Sequence, residues 1–326
     1  MSRLGLAAAW RGALAVAIFS MLASAGSAQV NRDKPLRVVV PFGAGSATDG
    51  LARAVGEGVT HLTKQTVIVD NRPGANGIIA AENVMNSPPD GSSILFGTHT
   101  THAANPWLYK KLSYDPVKDF APVTALARGW SFLVVNSKSP IKSVAELIEA
   151  AKRAPGTLTY GAGGASSRVS VELFAQMAGI KLVYVPYKGN PLAVNDLVGG
   201  QIDLMITDSV TAMPQIKGGT LRALGFTGAQ RSPLAPDVPT LDEAGVKGYE
   251  NSYWFAAYLP AKTAQSIVMA LNETLTEAVR GEPAEQYFKN TGLVGFTTTP
   301  DGLARFQAEQ SKILSGVISG AGIEPE

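Results

Sequence analysis

The sequence contains no cysteine. Disulfides, thiolate metal sites and cysteine nucleophiles are therefore excluded, as is a lipid-bearing cysteine behind an export signal. Histidine is scarce, with only His61, His99 and His102. None of the three has an obvious nucleophile partner. Neither a G-x-S-x-G elbow nor a G-x-x-x-x-G-K-[ST] loop occurs, which removes two common enzyme signatures. Basic residues form no cluster, so nucleic acid is not an expected partner. Beyond residue 30 no apolar run is long enough to span a bilayer.

What is present begins with an export pattern. Arg3 and Arg11 come first, then the uncharged run Gly12–Leu22, then small residues ending at Ala28. This order predicts a secretory signal peptide over residues 1–28, cut after Ala28 or Ala25. A transmembrane anchor is the alternative, but the last third of the stretch is Ala, Ser and Gly rather than bulky apolar residues. Two of the 28 basic residues lie in this segment, which has no acid, so the rest of the chain balances its 26 acids. The expectation is a soluble monomer in the periplasm, not lipid-anchored.

Residues 29–326 suit two domains of ordinary size. Strand-like runs Leu36–Val40, Thr66–Asp70 and Ser93–Thr98 alternate with helical patterns. That βαβαβ order implies a parallel sheet covered on both faces. The pattern restarts at Ser131–Asn136 and continues through LTYG, LVYVP, DLMIT and LRALGFT. SYWFAAYL (Ser252–Leu259) then precedes three helices, near 264–280, 283–291 and 300–319. One strand and three helices do not make a third lobe, so they are expected to return to the first. The predicted fold is α/β and two-lobed, each lobe a mainly parallel sheet flanked by helices. The first lobe spans 29–128 plus 251–326 and the second 129–250, with crossovers near 127–131 and 247–252.

The chemistry-bearing segments are strand-to-helix loops. PFGAGSATD (Pro41–Asp49) joins the first strand to the first helix and contains Gly45, Ser46, Ala47 and Thr48. Free N–H groups and a partial positive charge at the helix start make a ready anion site. Simple turn and cap chemistry is the alternative, and Asp49 is equally explained by the helix dipole. NRPGANGII repeats the pattern after the second strand, with Ala75, Asn76 and Gly77. Open α/β sheets bind ligands beyond the carboxyl ends of their strands, which adds Thr98 and Thr100 after the third. In the second half GAGGASSRVS carries Ala162, Ser166, Ser167 and Arg168, and Asp208 follows DLMIT. Arg168 could fork onto a carboxylate, or be a solvated surface residue. Phe42, Tyr187 and Trp254 would suit an aromatic acid or simply a core.

Other readings fare worse. His99 and His102 are three apart, but no H-E-x-x-H pattern or nearby acid supports a metal. A dinucleotide fingerprint would use Gly43, Gly45 and Asp70, yet Thr48 stands where the third glycine belongs. No cofactor, no metal and no catalytic residue is expected.

PFGAGSATD, VDNRPGANG, VPYKG, GGQIDLMITD, LRALGFTGAQRSPLAPDVPTLDEAG and SYWFAAYLPA resemble, in that order, the Bug-type receptors of tripartite tricarboxylate transporters. The resemblance runs from about residue 35 to the end. It implies a Venus-flytrap fold that captures a small organic carboxylate (a di- or tricarboxylate, an amino acid or an aromatic acid) and delivers it to one large and one small membrane subunit. It maps one carboxylate onto Phe42–Asp49 and Ala75–Gly77, and the second lobe's share onto Ala162–Arg168 and Asp208. Two departures stand out. Ser46 replaces the second of two adjacent glycines, and Arg168 stands nearest the place of a usual histidine, in a loop one residue shorter. A periplasmic sensor for a signalling system, or a secreted enzyme on the same scaffold, are the competing functions.

Overall fold

Leu36 and three valines give β1 (Leu36–Val40) an apolar side chain toward each face. Val38 and Val40 enter one core and Val39 the opposite one, as expected of a strand covered by helices on both sides. Each such fully buried side chain contributes about 1.5–3 kcal/mol relative to exposure. The computed structural model describes residues 32–325, and the expected signal peptide lies outside the described residues.

Helix α1 (Ala47–Thr63) follows β1 and is capped by the Ser46 hydroxyl, which accepts the Asp49 N–H at 3.3 Å. Next come β2 (Val67–Asn71), α2 (Ile78–Met85) and β3 (Ser93–Thr98). A π-helical turn at Thr100–Ala104 leads into the short α3 (Asn105–Leu108) and then β4 (Phe120–Asn136). The second half contributes α4 (Val144–Arg153), β5 (Thr159–Ala162), α5 (Ala165–Ala178), β6 (Val183–Pro186), α6 (Asn190–Val198), β7 (Leu204–Asp208), α7 (Ser209–Lys217) and β8 (Leu221–Phe226). The chain closes with β9 (Ser252–Pro260), α8 (Gln265–Val279), α9 (Glu282–Thr291), β10 (Val294–Gly295) and α10 (Pro300–Gly320).

β1 lies between β2 and β3 in a parallel set, which β9 extends antiparallel to β3. A second parallel set, β7–β5–β6, forms the other lobe. One strand joins them. The first half of β4 pairs with β9, ending at Trp130 opposite Ser252. From Ser131 onward it pairs with β7 and β8 instead. The sequence pattern places a strand only at Ser131–Asn136, with a short link before it. The chain instead runs as one 17-residue strand. Its first half escapes a period-2 reading because register shifts between Pro122 and Thr124 and between Ala125 and Ala127 break the alternation, and because Ala, Pro and Gly dilute its β-branched residues.

The C-terminal helices return to the first lobe. Ile267, Val268, Leu271 and Leu275 of α8 share a core with Val38, Val40 and Leu51. Leu303, Leu314 and Ile318 of α10 share the opposite one with Val39 and Leu95. The second lobe has its own pair of cores on either face of its sheet. Strands β1, β3, β5 and β7 end at the seam between the lobes.

Candidate functional site

The carboxyl ends of those strands enclose a cavity of about 570 Å³, counting its open mouth. The first lobe supplies Phe42, Ser46, Ala47 and Thr48 from the β1–α1 loop, and Thr98, His99 and Thr100 from the end of β3. From the second lobe come Gly163, Gly164, Ser166 and Ser167 before and within α5, Asn190 at the start of α6, and Asp208 at the end of β7. The joining strands add Ser131, Tyr253, Trp254 and Phe255. The lobes touch across the mouth: the Ser166 N–H donates to Thr100 Oγ1 at 3.2 Å.

Helix geometry explains what the first lobe offers. A helix leaves its first N–H groups without intrahelical acceptors. At α1 the Asp49 N–H is taken by Ser46 Oγ, and the Gly50 N–H by the Ser46 carbonyl at 3.0 Å. Among the described residues the N–H groups of Ala47 and Thr48 find no acceptor. Both residues are buried, at 6% and 2% exposure, so water reaches them only through the cavity. Two orphan donors beside a positive helix end favour an anion. In the second lobe the Gly164 and Ser167 N–H groups at the α5 start are likewise without an acceptor among the described residues.

Two acids stand near these helix starts, and they differ. The Asp49 carboxylate accepts from Arg53 at 2.9 and 3.2 Å and from the Gly45 N–H at 3.0 Å. Burial alone would raise its pKa, but these bonds together hold it below the usual carboxylate value. It does not line the cavity. Asp208 does, at 8% exposure. Its Oδ1 accepts the Thr211 N–H at 3.0 Å, capping α7, and its Oδ2 accepts Asn190 Nδ2 at 2.8 Å. Asn190 Oδ1 in turn accepts the Gly163 N–H at 3.1 Å and lies 3.2 Å from Ser167 Oγ. The one histidine of the cavity, His99, is held neutral, because burial lowers its pKa to about 4.

Of the residues singled out from sequence, Phe42, Ser46, Ala47, Thr48, Thr98, Thr100, Ser166, Ser167 and Asp208 meet at the cavity. Gly45, Asp49, Ala75, Asn76, Gly77, Ala162 and Arg168 do not line it. Ala75 and Asn76 adopt left-handed backbone at φ 45° and 49°, which costs roughly 1–3 kcal/mol each. They are held by Asn76 Nδ2 donating to Tyr109 Oη at 2.7 Å and by Asn105 Nδ2 donating to the Asn76 carbonyl at 3.1 Å. Gly77, at φ 83°, packs where a Cβ would lie 2.8 Å from Pro41 and 2.6 Å from Thr101. This loop braces the neighbours of Phe42 and Thr100. Arg168 places its guanidinium 4.6 Å from the centre of the Tyr184 ring. Asp70, the acid a dinucleotide would need, is engaged by Arg37 at 3.0 Å and Arg72 at 2.8 Å. His102 stacks on Tyr258, 3.6 Å between centroids, away from His99's partner Trp254.

Residues 51–323 match the family described as "Tripartite tricarboxylate transporter family receptor". The chain belongs to that family, as a Bug-type receptor. Solved structures agree with it over nearly their whole length. Rpa4515 of R. palustris with adipate is 34% identical, covering 90% of this chain and 99% of that one, with a TM-score of 0.87. The periplasmic binding protein BugD is 30% identical over 90% and 99%, with a TM-score of 0.86. MatC of Rhodopseudomonas palustris with bound malate is 29% identical over 87% and 99%, with a TM-score of 0.82. Of these neighbours, BugD is a periplasmic binding protein, and Rpa4515 and MatC each hold a small carboxylate. In the receptor, Gly163 and Gly164 of the Ala162–Arg168 span line the cavity, and Ser131, Asn190, Tyr253 and Phe255 join them without having been singled out from sequence. Asn190 and Ser131 carried a weak signal, since each stands beside a carboxyl strand end or a crossover. Tyr253 and Phe255 read only as core, because a strand end cannot be told from a strand interior by apolarity.

Proposed function

We propose that this receptor binds a small organic carboxylate in the periplasm, closes its lobes over it, and passes it to one large and one small membrane subunit without turning it over. The observation that carries the reading is the pair of buried Ala47 and Thr48 N–H groups with no acceptor among the described residues. Hydrogen bonds from such donors to a charged acceptor contribute about 1.5–3 kcal/mol. Phe42 and Trp254 supply apolar wall between the two helix starts. Relatives of the same fold bound to adipate and malate support the ligand class. We assign 29–128 with 251–326 to the first lobe and 129–250 to the second, a division supported by the change of β4 partners between Trp130 and Ser131.

The test is Ala47→Pro. Proline is tolerated at the first helical position but has no N–H, and Ser46 already has the extended backbone (φ −71°, ψ 158°) that a following proline requires. The variant should fold and lose carboxylate affinity roughly tenfold or more by calorimetry. Unchanged affinity would remove the first-lobe helix start from the site. Delivery would show as uptake that is lost when either membrane subunit is deleted.

A further inference from the structure

The cavity has one formally charged lining residue, and it is an acid. Asp208 faces it, while among the described residues no lysine or arginine lines the cavity and His99 is neutral. Arg53 is occupied by Asp49, and Arg168 lies over Tyr184. An anionic ligand therefore enters beside a buried carboxylate that no cation of the lining offsets. That carboxylate has about four acceptor positions. Thr211 and Asn190 fill two at 3.0 and 2.8 Å, and the Thr207 hydroxyl stands at 3.5 Å. Ser131 sits directly opposite Asp208 in the β4–β7 ladder and also lines the cavity, so this end is polar on both strands.

We propose that the ligand presents a hydrogen-bond donor, a hydroxyl or an ammonium, to the Asp208 carboxylate in addition to the carboxylate it places at the α1 start. The inference rests on the carboxylate reading above and narrows it to hydroxy and amino acids. A site built to bond a ligand's O–H or N–H discriminates strongly against the analogue lacking it, because the buried acceptor is then left short of a partner.

The experiment is calorimetric titration of matched acids with and without a donor: succinate against malate and aspartate, hexanoate against 6-hydroxy- and 6-aminohexanoate, benzoate against hydroxy- and aminobenzoates. The tightest binder should carry a donor and exceed its donor-free parent at least tenfold, about 1.4 kcal/mol. Hydroxyl and amino arms tell the two sources of the donor apart. Asp208→Asn keeps the side-chain shape and an equally good cap for α7, and should cut an ammonium preference at least fivefold. Parent acids binding as tightly as their donor-bearing counterparts would overturn the inference and leave the carboxylate reading intact. Absence of binding by every acid would overturn both. The wild-type ratios decide the matter alone should the variant fail to fold.

Discussion

The two lobes approach the cavity with the same local pattern, a glycine–hydroxyl loop running into a helix, and with an acid close by. In the first lobe that acid, Asp49, is answered one helical turn later by Arg53 and turned away from the cavity. In the second lobe Asp208 is answered by a neutral amide and a backbone N–H and stays on the lining. The difference lies in the counter-ion. An i,i+4 arginine makes an acid part of the scaffold, and its absence makes the acid part of the ligand's surroundings. The first lobe thus offers bare donors, while the second offers donors and an acceptor together.

The largest test of this contrast is acidification, which attacks the first lobe's neutrality. His99 and His102 have folded pKa values lowered by burial to about 4 and about 3, against 6.5 when exposed. The unfolded chain therefore binds more protons below pH 6.5, and stability falls as pH drops through that window. The slope approaches 1.4 kcal/mol per pH unit for each histidine, about 3 kcal/mol for His99 by pH 4. Chemical denaturation from pH 7 to 4 measures it, and His99→Gln should reduce the slope. A stability that is flat across this range would mean that the cleft tolerates a charged imidazole.

Close packing in the second lobe gives the next largest effect. A Cβ on Gly163 would fall 2.1 Å from the Gly189 carbonyl carbon and from the Asn190 nitrogen. Both are backbone atoms with no rotamer to yield. Gly163→Ala should therefore destabilise by about 3 kcal/mol and also displace Asn190, the link between the α5 loop and Asp208. Thermal unfolding reads the first consequence and ligand titration the second. Normal stability would show that the α5 loop and α6 start are not held in register.

Much of this arrangement was legible from residue order. Strands announce themselves where valine, isoleucine and leucine run together, as in β1 and β7, and helix starts where Ser46 and Ser143 cap. What could not be read was which partner each polar group would choose. Asp49 and Asp208 look alike along the chain, and only the fold shows that Arg53 reaches one while Asn190, 18 residues away, reaches the other. Asn76 and Gly77 satisfy the same loop pattern as Ser46 and Ala47, yet they brace the lining instead of forming it. The first half of β4 was illegible for a simpler reason: its bulges erase the alternation on which strand recognition depends.

A smaller effect is expected at Asn190 itself. Asn190→Ala leaves the Gly163 N–H and Asp208 Oδ2 each one partner short, which should lower stability by about 1–3 kcal/mol. It should also sharpen the contrast between the lobes, because Asp208 Oδ2 then has a further acceptor position open to the ligand while Oδ1 still caps α7. Affinity for acids bearing a donor should rise relative to their donor-free parents. A fall in that ratio would place Asn190, not Asp208, in contact with the ligand.

The smallest effect is expected at Arg168, where sequence alone most invites a second carboxylate clamp. Its guanidinium lies 4.6 Å over the Tyr184 ring and outside the cavity lining. Arg168 is half-buried, and a cation over an aromatic ring contributes from about 0.5–1 kcal/mol when exposed to about 2 when desolvated, so Arg168→Ala should lower stability by about 1 kcal/mol through the α5–β6 packing. Affinity for any bound acid should change by less than about twofold, because no atom of the lining is lost. A tenfold loss confined to diacids would mean that Arg168 swings from Tyr184 into the cleft when a second carboxylate arrives. In that case the second lobe would acquire a counter-ion after all, and the asymmetry between Asp49 and Asp208 would not hold.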